Sequence, residues 1–324
     1  MKEGKIPPEL LRRLVFDNIK IRNEEVILRP EIGEDCAGIA FGDDACILST
    51  DPITGADKGA GTLAIHISCN DVASSGVKPI GIMVTILAPP TATEEDIKRV
   101  MTEAGEAAAE LGVEIIGGHT EITSAVNRIV ISTTALGKIH QSKIVRSSGA
   151  QIGDDVIMTK WAGLEGTSII AADREKELLP KLGNEELRTA KSFIDNISVV
   201  KEGVIAGEFG AHSMHDVTEG GILGAVWEIA ESSGTGIEIY LDSIPVHSVT
   251  KKICNIYGID PYRLISSGSM VITAKNGAEL VKALQDKGIT CAIIGRITER
   301  GKSIIKDGKC LPLNPPDVDE LFSI

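Results

Sequence analysis

The sequence predicts a two-domain α+β fold, with a first domain over residues 1–150 and a second over 151–324. Three observations predict it. The chain has 324 residues, more than one compact core organises and comfortable for two domains of about 150 residues each. Its hydrophobic fraction is 43% while its aromatic fraction is 3%, so the core must be packed from Ile, Val, Leu and Ala. Its glycine count is high at 34 residues, which suggests many tight strand–helix connections.

The elements follow in order. Pro7 and Pro8 open a helix over 7–19 with Leu10, Leu11, Leu14, Val15 and Ile19 on one face. Cys36–Phe41 and Ala45–Thr50 read as strands around an Asp43-Asp44 turn, and Pro52 is expected to stop the second ladder just after Asp51. The apolar run Leu63–Ile67 reads as a buried strand that delivers Asn70 and Asp71 to the start of a short helix ending at Gly76. At a helix N-terminus free N–H groups favour anions, although a lone Asn or Asp there is most often a simple cap. Pro79–Leu87 is a strand. A helix capped by Thr93 and Asp96 runs to Leu111 and stops at Gly112, with Ile97, Val100, Met101, Ala104, Ala108 and Leu111 inward. Strand Val113–Ile116 leads into Gly117-Gly118-His119-Thr120-Glu121, where two glycines admit close approach of a ligand. Strand Arg128–Ile139 closes the first domain, and Gln151–Asp155 opens the next strand, Val156–Lys160.

The second domain begins with Gly163-Leu164-Glu165-Gly166-Thr167, a glycine-rich turn into a helix, followed by a polar helical region over 174–208. Strand Ala211–Met214 delivers His215-Asp216-Val217-Thr218-Glu219-Gly220-Gly221 to an apolar helix containing Ile222, Leu223, Val226, Trp227 and Ile229. The remainder alternates: strand Ile237–Leu241, helix 246–257, strand Ser269–Thr273, helix 277–287, and strands near 290–296 and 303–306.

Several functional classes are excluded. A net charge of −13 argues against a nucleic-acid-binding surface, which needs clustered Lys and Arg. No apolar run reaches the roughly 18 residues of a membrane span, and Met1–Lys5 lacks a secretory leader's apolar core. The six cysteines form no CxxC pair and read as reduced, mostly buried thiols, Cys310 included, of a cytoplasmic protein. Gly295 to Gly301-Lys302-Ser303 has five intervening residues where a P-loop needs four, and Gly59-Ala60-Gly61 lacks a Rossmann fingerprint's third glycine. No nucleophile elbow carries a Ser-His-Asp set. What remains is a set of acidic residues at strand ends. Asp35, Asp51 and Asp71 would repel one another unless a cation lay between them.

Taken together, Gly33-Glu34-Asp35, Ser49-Thr50-Asp51-Pro52, Asn70-Asp71-Val72-Ala73, Gly117-Gly118-His119-Thr120 and His215–Gly221 resemble the motifs of the aminoimidazole-ribonucleotide synthetase superfamily, in order and over nearly the whole chain. That superfamily includes PurM, the thiamine-phosphate kinase ThiL, selenophosphate synthetase and the hydrogenase maturation factor HypE, and the chain looks most similar to the HypE branch. The resemblance implies a PurM-like N-terminal domain whose sheet pairs across a homodimer, and a C-terminal α/β sandwich. It implies ATP and Mg²⁺, with Asp35, Asp51, Asp71 and Asp216 as metal ligands. Asn70, Gly117, Gly118, Thr120, Gly220 and Gly221 would lie around the nucleotide, and Asp71, Asp216 and His119 would act at the reacting centre. In this chemistry ATP activates an amide-type oxygen by phosphorylation, on a small-molecule or protein-bound carboxamide, with a maturation partner protein.

The chain departs from the superfamily's patterns in three ways, one being that it has neither the selenophosphate-type N-terminal Gly-rich segment with a reactive Cys or Lys nor the Asp-Gly-Thr signature of PurM near position 51. His119 stands where HypE and ThiL carry Asp, and neutral imidazole is a poor Mg²⁺ ligand. The chain ends Asp319-Glu320-Leu321-Phe322-Ser323-Ile324 without HypE's terminal cysteine, so the HypE reaction in its known form is not expected. A non-catalytic HypE paralogue and a ThiL-like small-metabolite kinase are the alternatives.

Overall fold

The structure is a computed structural model, and it describes residues 6–54, 59–316 and 318–324. Met1–Lys5, read above as no leader, lie outside the described residues.

Two sheets divide the chain between His140 and Asp155. The first has six strands: β1 (Val26–Leu28), β2 (Ala37–Phe41), β3 (Asp44–Ile53), β4 (Pro79–Ala88), β5 (Glu114–Ile122) and β6 (Val130–His140), in the order β1-β2-β3-β6-β4-β5. All neighbours are antiparallel except β4 and β5. Helices α2 (Ala60–Ser74) and α3 (Glu94–Leu111) cover one face, where Ile47, Ile82, Ile86 and Ile131 are fully buried. Thr93 and Asp96 form the expected capping box at the start of α3, and Gly112 ends it in the left-handed conformation.

The second sheet has seven strands: β7 (Asp155–Thr159), β8 (Ser213–Asp216), β9 (Gly236–Tyr240), β10 (Met270–Ala274), β11 (Cys291–Thr298), β12 (Lys302–Lys306) and β13 (Lys309–Pro312), in the order β13-β12-β9-β11-β7-β10-β8. Its helices are α4 (Leu164–Asp173), α5 (Glu175–Lys191), α6 (Val200–Phe209), α7 (Gly221–Ser232), α8 (Ser248–Tyr257) and α9 (Gly277–Gln285). Alternate residues of β7 feed two cores. Val156 and Met158 pack with α7, while Ile157 packs with Ala206 of α6 and Leu280 of α9. Helices therefore flank this sheet on both faces, which is the expected α/β sandwich.

Four expectations need correction. Leu63–Ile67 is the interior of α2, not a strand. This helix is enclosed by β3, β6, α3 and α6 and carries no polar face over that run, so helical periodicity is invisible there. Asn70 and Asp71 consequently sit near the C-terminal end of α2, where no free N–H groups favour an anion. Pro52 does not end β3, which pairs with β6 as far as Ile53. Cys310 lies exposed in β13, at the edge of the second sheet, rather than buried. The N-terminal helix, α1 (Pro8–Leu14), is shorter than expected and none of its residues is buried.

Candidate active site: a carboxylate-lined cleft between the domains

The strand alternation of β3 aims one side chain in two at α2. Ala45, Ile47 and Ser49 are buried there, and Asp51 follows on the same face. The Ser49 hydroxyl donates to Asp71 Oδ2 at 2.7 Å, so the end of β3 and the last turns of α2 are joined at that point. Ile67 lies one turn before Asp71, and both face the same cleft. The Cys36 thiol donates to the Asp71 carbonyl at 3.1 Å, which holds the loop carrying Glu34 and Asp35 against the same helix end. From the second domain, β8 ends at Asp216 beside this group.

The result is a cleft of about 340 Å³ between the domains, lined by Asp35, Asp51, Asp71 and Asp216, with Glu34, Glu165 and Glu219 also in its walls. The four aspartates expected to converge are brought together. Both Asp216 carboxylate oxygens are buried without a hydrogen-bond partner. Asp71 has its pKa pushed well above the usual carboxylate range by burial, and then by Asp216, Asp51 and Asp35. Burial likewise pushes Asp35 up to about 6 and, with Asp35's charge beside it, Glu34 up to about 8. Such crowding is unfavourable in an empty cleft and is what a hard divalent cation with oxygen ligands relieves. The donor set therefore fits Mg²⁺.

His215 completes the cluster and was not singled out in the sequence. Its Nδ1 lies 2.9 Å from Asp35, and its Nε2 lies 2.9 Å from Glu228 on α7. Burial would lower its pKa, but the charge of Asp35, the nearby Asp216 carboxylate at 3.8 Å, and hydrogen bonds to Asp35 and Glu228 outweigh that and hold it well above the ordinary value. With both nitrogens donating to carboxylates, His215 acts as a countercharge, not as a metal ligand. Its place directly before Asp216 was the available signal.

The other expected site residues fall elsewhere. Asn70 is fully buried and does not line the cleft. Its amide donates to the Ile197 carbonyl and accepts from the Val199 N–H, each at 2.8 Å, tying α2 to the second domain instead of contacting phosphate. Gly117, Gly118, His119 and Thr120 continue β5, the exposed edge strand. β5 lies three strands from β3, roughly 14 Å from Asp51 at about 4.8 Å per strand, so none of the four joins the cleft of its own protomer. A Cβ on Gly118 would meet the Val84 carbonyl oxygen at 1.8 Å, so this glycine admits the neighbouring strand. Gly220 and Gly221 begin α7, but their N–H groups are taken by Asp319 Oδ2 at 2.7 Å and the Thr218 carbonyl at 3.1 Å. Thr218 and Glu219, just before them, do line the cleft. A roomier hollow of about 520 Å³ opens beside α5, but charged groups there pair with each other, as Lys191 does with Glu175 at 2.7 Å.

A helix-flanked sheet joined to a six-stranded one, with an acidic cleft at the junction, defines a two-domain α+β protein of the PurM type. Residues 33–139 match the AIR synthase related protein N-terminal domain and residues 151–308 the C-terminal domain, and the chain belongs to this family. It is 29% identical over 311 residues to a putative hydrogenase expression/formation protein of Methanocaldococcus jannaschii, covering 93% of this chain and 90% of that one. It is 25% identical over 315 residues to carbamoyl dehydratase HypE of Cupriavidus necator, covering 94% and 85% respectively. Among solved structures, HypE in a HypE–HypF complex superposes with a TM-score of 0.79 at 24% identity, covering 95% of this chain and 99% of that one. AaThiL complexed with AMPPCP and TMP gives 0.76 at 20% identity, covering 96% and 97%. HypE in complex with ATP gives 0.70 at 19% identity, covering 98% and 97%. Relatives and solved structures named HypE are thus among those the chain resembles within the family. No helix among the described residues is long and apolar enough to cross a membrane.

Proposed function

We propose that the chain is a HypE-like, ATP-dependent enzyme that activates an amide- or carbonyl-type oxygen by phosphorylation. The observation that carries this reading is Asp216, whose two buried oxygens accept no hydrogen bond and have His215 only at 3.8 Å, inside a group of four aspartates. A buried carboxylate that accepts no hydrogen bond is costly, and four carboxylates beside a single imidazolium point to a further cation. Asp35, Asp51, Asp71 and Asp216 would hold Mg²⁺, which supplies charge neutralisation for the phosphates of ATP when bound. His215 balances the remaining negative charge and fixes Asp35, while Ser49 orients Asp71. Asp71 and Asp216 face the space where the phosphoryl group would pass.

The reading extends to a homodimer of cytoplasmic subunits, each dividing near residue 150. The outer face of the first sheet exposes Ile80 and Met83 on β4 and Ile116 on β5. A second copy seated there would bring its own Gly117, Gly118, His119 and Thr120 within reach of this cleft. A maturation partner belongs to the same reading, since one HypE neighbour is complexed with HypF. The ThiL neighbour favours a second reading, a kinase acting on a small metabolite.

Calorimetric titration with a non-hydrolysable ATP analogue, with and without Mg²⁺, tests the proposal. Mg²⁺-dependent binding is expected, and an absence of binding would leave a scaffold without nucleotide chemistry. With ATP itself, a stable phosphorylated product would select the kinase, and dehydration of a carboxamide peptide would select the HypE-like reaction.

A further inference from the structure

Among the acidic groups of the cleft besides the aspartates, Glu165 has no role in the reading above. Glu165 sits in the first turn of α4, is 6% exposed, and lines the same cleft, with Asp319 and Glu219 as its charged neighbours. The hydroxyl and backbone N–H of Ser267 stabilise its charged form, yet its Oε2 is buried without a hydrogen-bond partner. A buried acceptor left unsatisfied costs about 1–3 kcal/mol, so it needs a compensating use. The surroundings are apolar or acidic: Ile67 and Ile265 line the same space, and no Lys or Arg stands among the described residues lining it.

We propose that Glu165 is the acceptor-side base of this site, receiving on Oε2 the proton that the acceptor sheds as its oxygen takes the phosphoryl group. The proposal rests on the ATP-dependent reading. The step balances. A P–O bond forms to the acceptor oxygen, the P–O bond to ADP breaks with its electron pair leaving on ADP, and one proton passes from the acceptor's O–H or conjugated N–H to Glu165. The acceptor class follows. It is an uncharged or cationic N–H or O–H donor, because an anionic group beside Glu165 would meet that carboxylate and Glu219 with no Lys or Arg lining the space.

Burial raises Glu165 to about 7, Ser267 opposes the shift, and Asp319 and Glu219 add to it. These are the charged groups that face it, from the C-terminal segment and from the loop before α7. Asp51, Asp71 and Asp216 line the same cleft. A carboxyl that titrates near neutrality is suited to proton transfer.

The test uses the full chain, with water as the acceptor probe. Single-turnover ADP release from Mg·ATP is followed from about pH 5.5 to pH 8.5, beside calorimetric affinity for the non-hydrolysable analogue. The wild-type rate should rise through an inflection near neutrality. Glu165→Gln should lose that inflection and fall by about 100-fold or more while analogue affinity stays within about threefold. Ser267→Ala, which removes a hydrogen bond to the carboxylate, should move the inflection to higher pH.

A wild-type profile in Glu165→Gln would overturn the assignment. So would wild-type protein that binds the analogue yet releases no ADP at any pH, because a base facing the cleft has water to deprotonate. A loss of analogue affinity beyond about tenfold in Glu165→Gln would place the residue at the nucleotide end and also overturn it. If Glu165→Gln does not fold, an unmoved inflection in Ser267→Ala overturns it alone. Wild-type protein that fails to bind the Mg·ATP analogue refutes the nucleotide reading and this proposal together, an outcome distinct from all the others.

Discussion

Asp71 is held in a place that disfavours its charge, and the sign of its contribution depends on whether a cation is present. Without a cation it is pushed toward the protonated form by burial and by three neighbouring aspartates. Asp71→Asn copies a protonated carboxyl in shape and keeps an acceptor for the Ser49 hydroxyl. The variant should melt no lower than wild type without Mg²⁺, yet lose Mg·ATP binding; an affinity change below about threefold, under about 1 kcal/mol, would refute the metal role. His66 gives a pH prediction at the same scale, away from the carboxylates. Burial, then the charge of Lys160, lowers its pKa from 6.5 to about 4, and its Nδ1 has no partner. Unfolded chain therefore binds a proton near pH 6.5 that the folded chain refuses until about pH 4, so stability falls as pH drops through that window. The loss between pH 7 and pH 5 should be about 2 kcal/mol. His66→Leu should remove that part of the slope, as read from chemical denaturation at the two pH values.

At the scale of elements, α2 does the joining, and glycines opposite it set how closely its neighbours approach. A Cβ on Gly203 of α6 would lie 2.2 Å from the Ala73 carbonyl oxygen of α2. A Cβ on Gly105 of α3 would meet nothing within 4 Å. The same substitution should therefore act in opposite directions. Gly105→Ala should stabilise by about 0.5–1 kcal/mol through helix propensity alone. Gly203→Ala gains the same propensity but forces two backbones apart, an overpacking cost of about 1–3 kcal/mol or more, so it should destabilise. Equilibrium unfolding of both variants checks the pair. Elements with a polar face or a marked cap were legible in the sequence, as α3 was through Thr93, Asp96 and Gly112. α2 was not, because burial on every side erased its periodicity, and an apolar run of that length reads equally as strand. β1 and β13, with three and four residues, carry too little pattern to find. The acidic site was legible because Asp35, Asp51, Asp71 and Asp216 each stand in a recognisable motif. Glu165, Ser267 and Glu228 were not, because the fold alone brings these distant, unmarked residues to the cleft or its neighbour His215.

For the whole molecule, the question is whether one protomer holds a complete site. The cleft has its aspartates, but His119 and its neighbours stand on the edge strand β5, three strands away from Asp51. Side chains do not bridge that distance, so on the homodimer reading His119 serves the cleft of another copy. The outer sheet face, with Met83 47% exposed and Ile116 51% exposed, offers the apolar surface such a copy would cover. Met83→Asp should then give monomers by sedimentation at micromolar concentration and weaken Mg·ATP binding together, although Met83 lines no cleft. A mixing experiment separates shared sites from mere stabilisation. Asp71→Asn and His119→Ala homodimers should each lack intact sites. Exchanging them in equal amounts makes half the dimers mixed, and each mixed dimer pairs one native Asp71 with the other subunit's native His119. About a quarter of all sites should then regain Mg·ATP binding. No recovery after subunit exchange, with His119→Ala alone impaired, would confine His119 to its own protomer, while full binding in His119→Ala would remove it from the site.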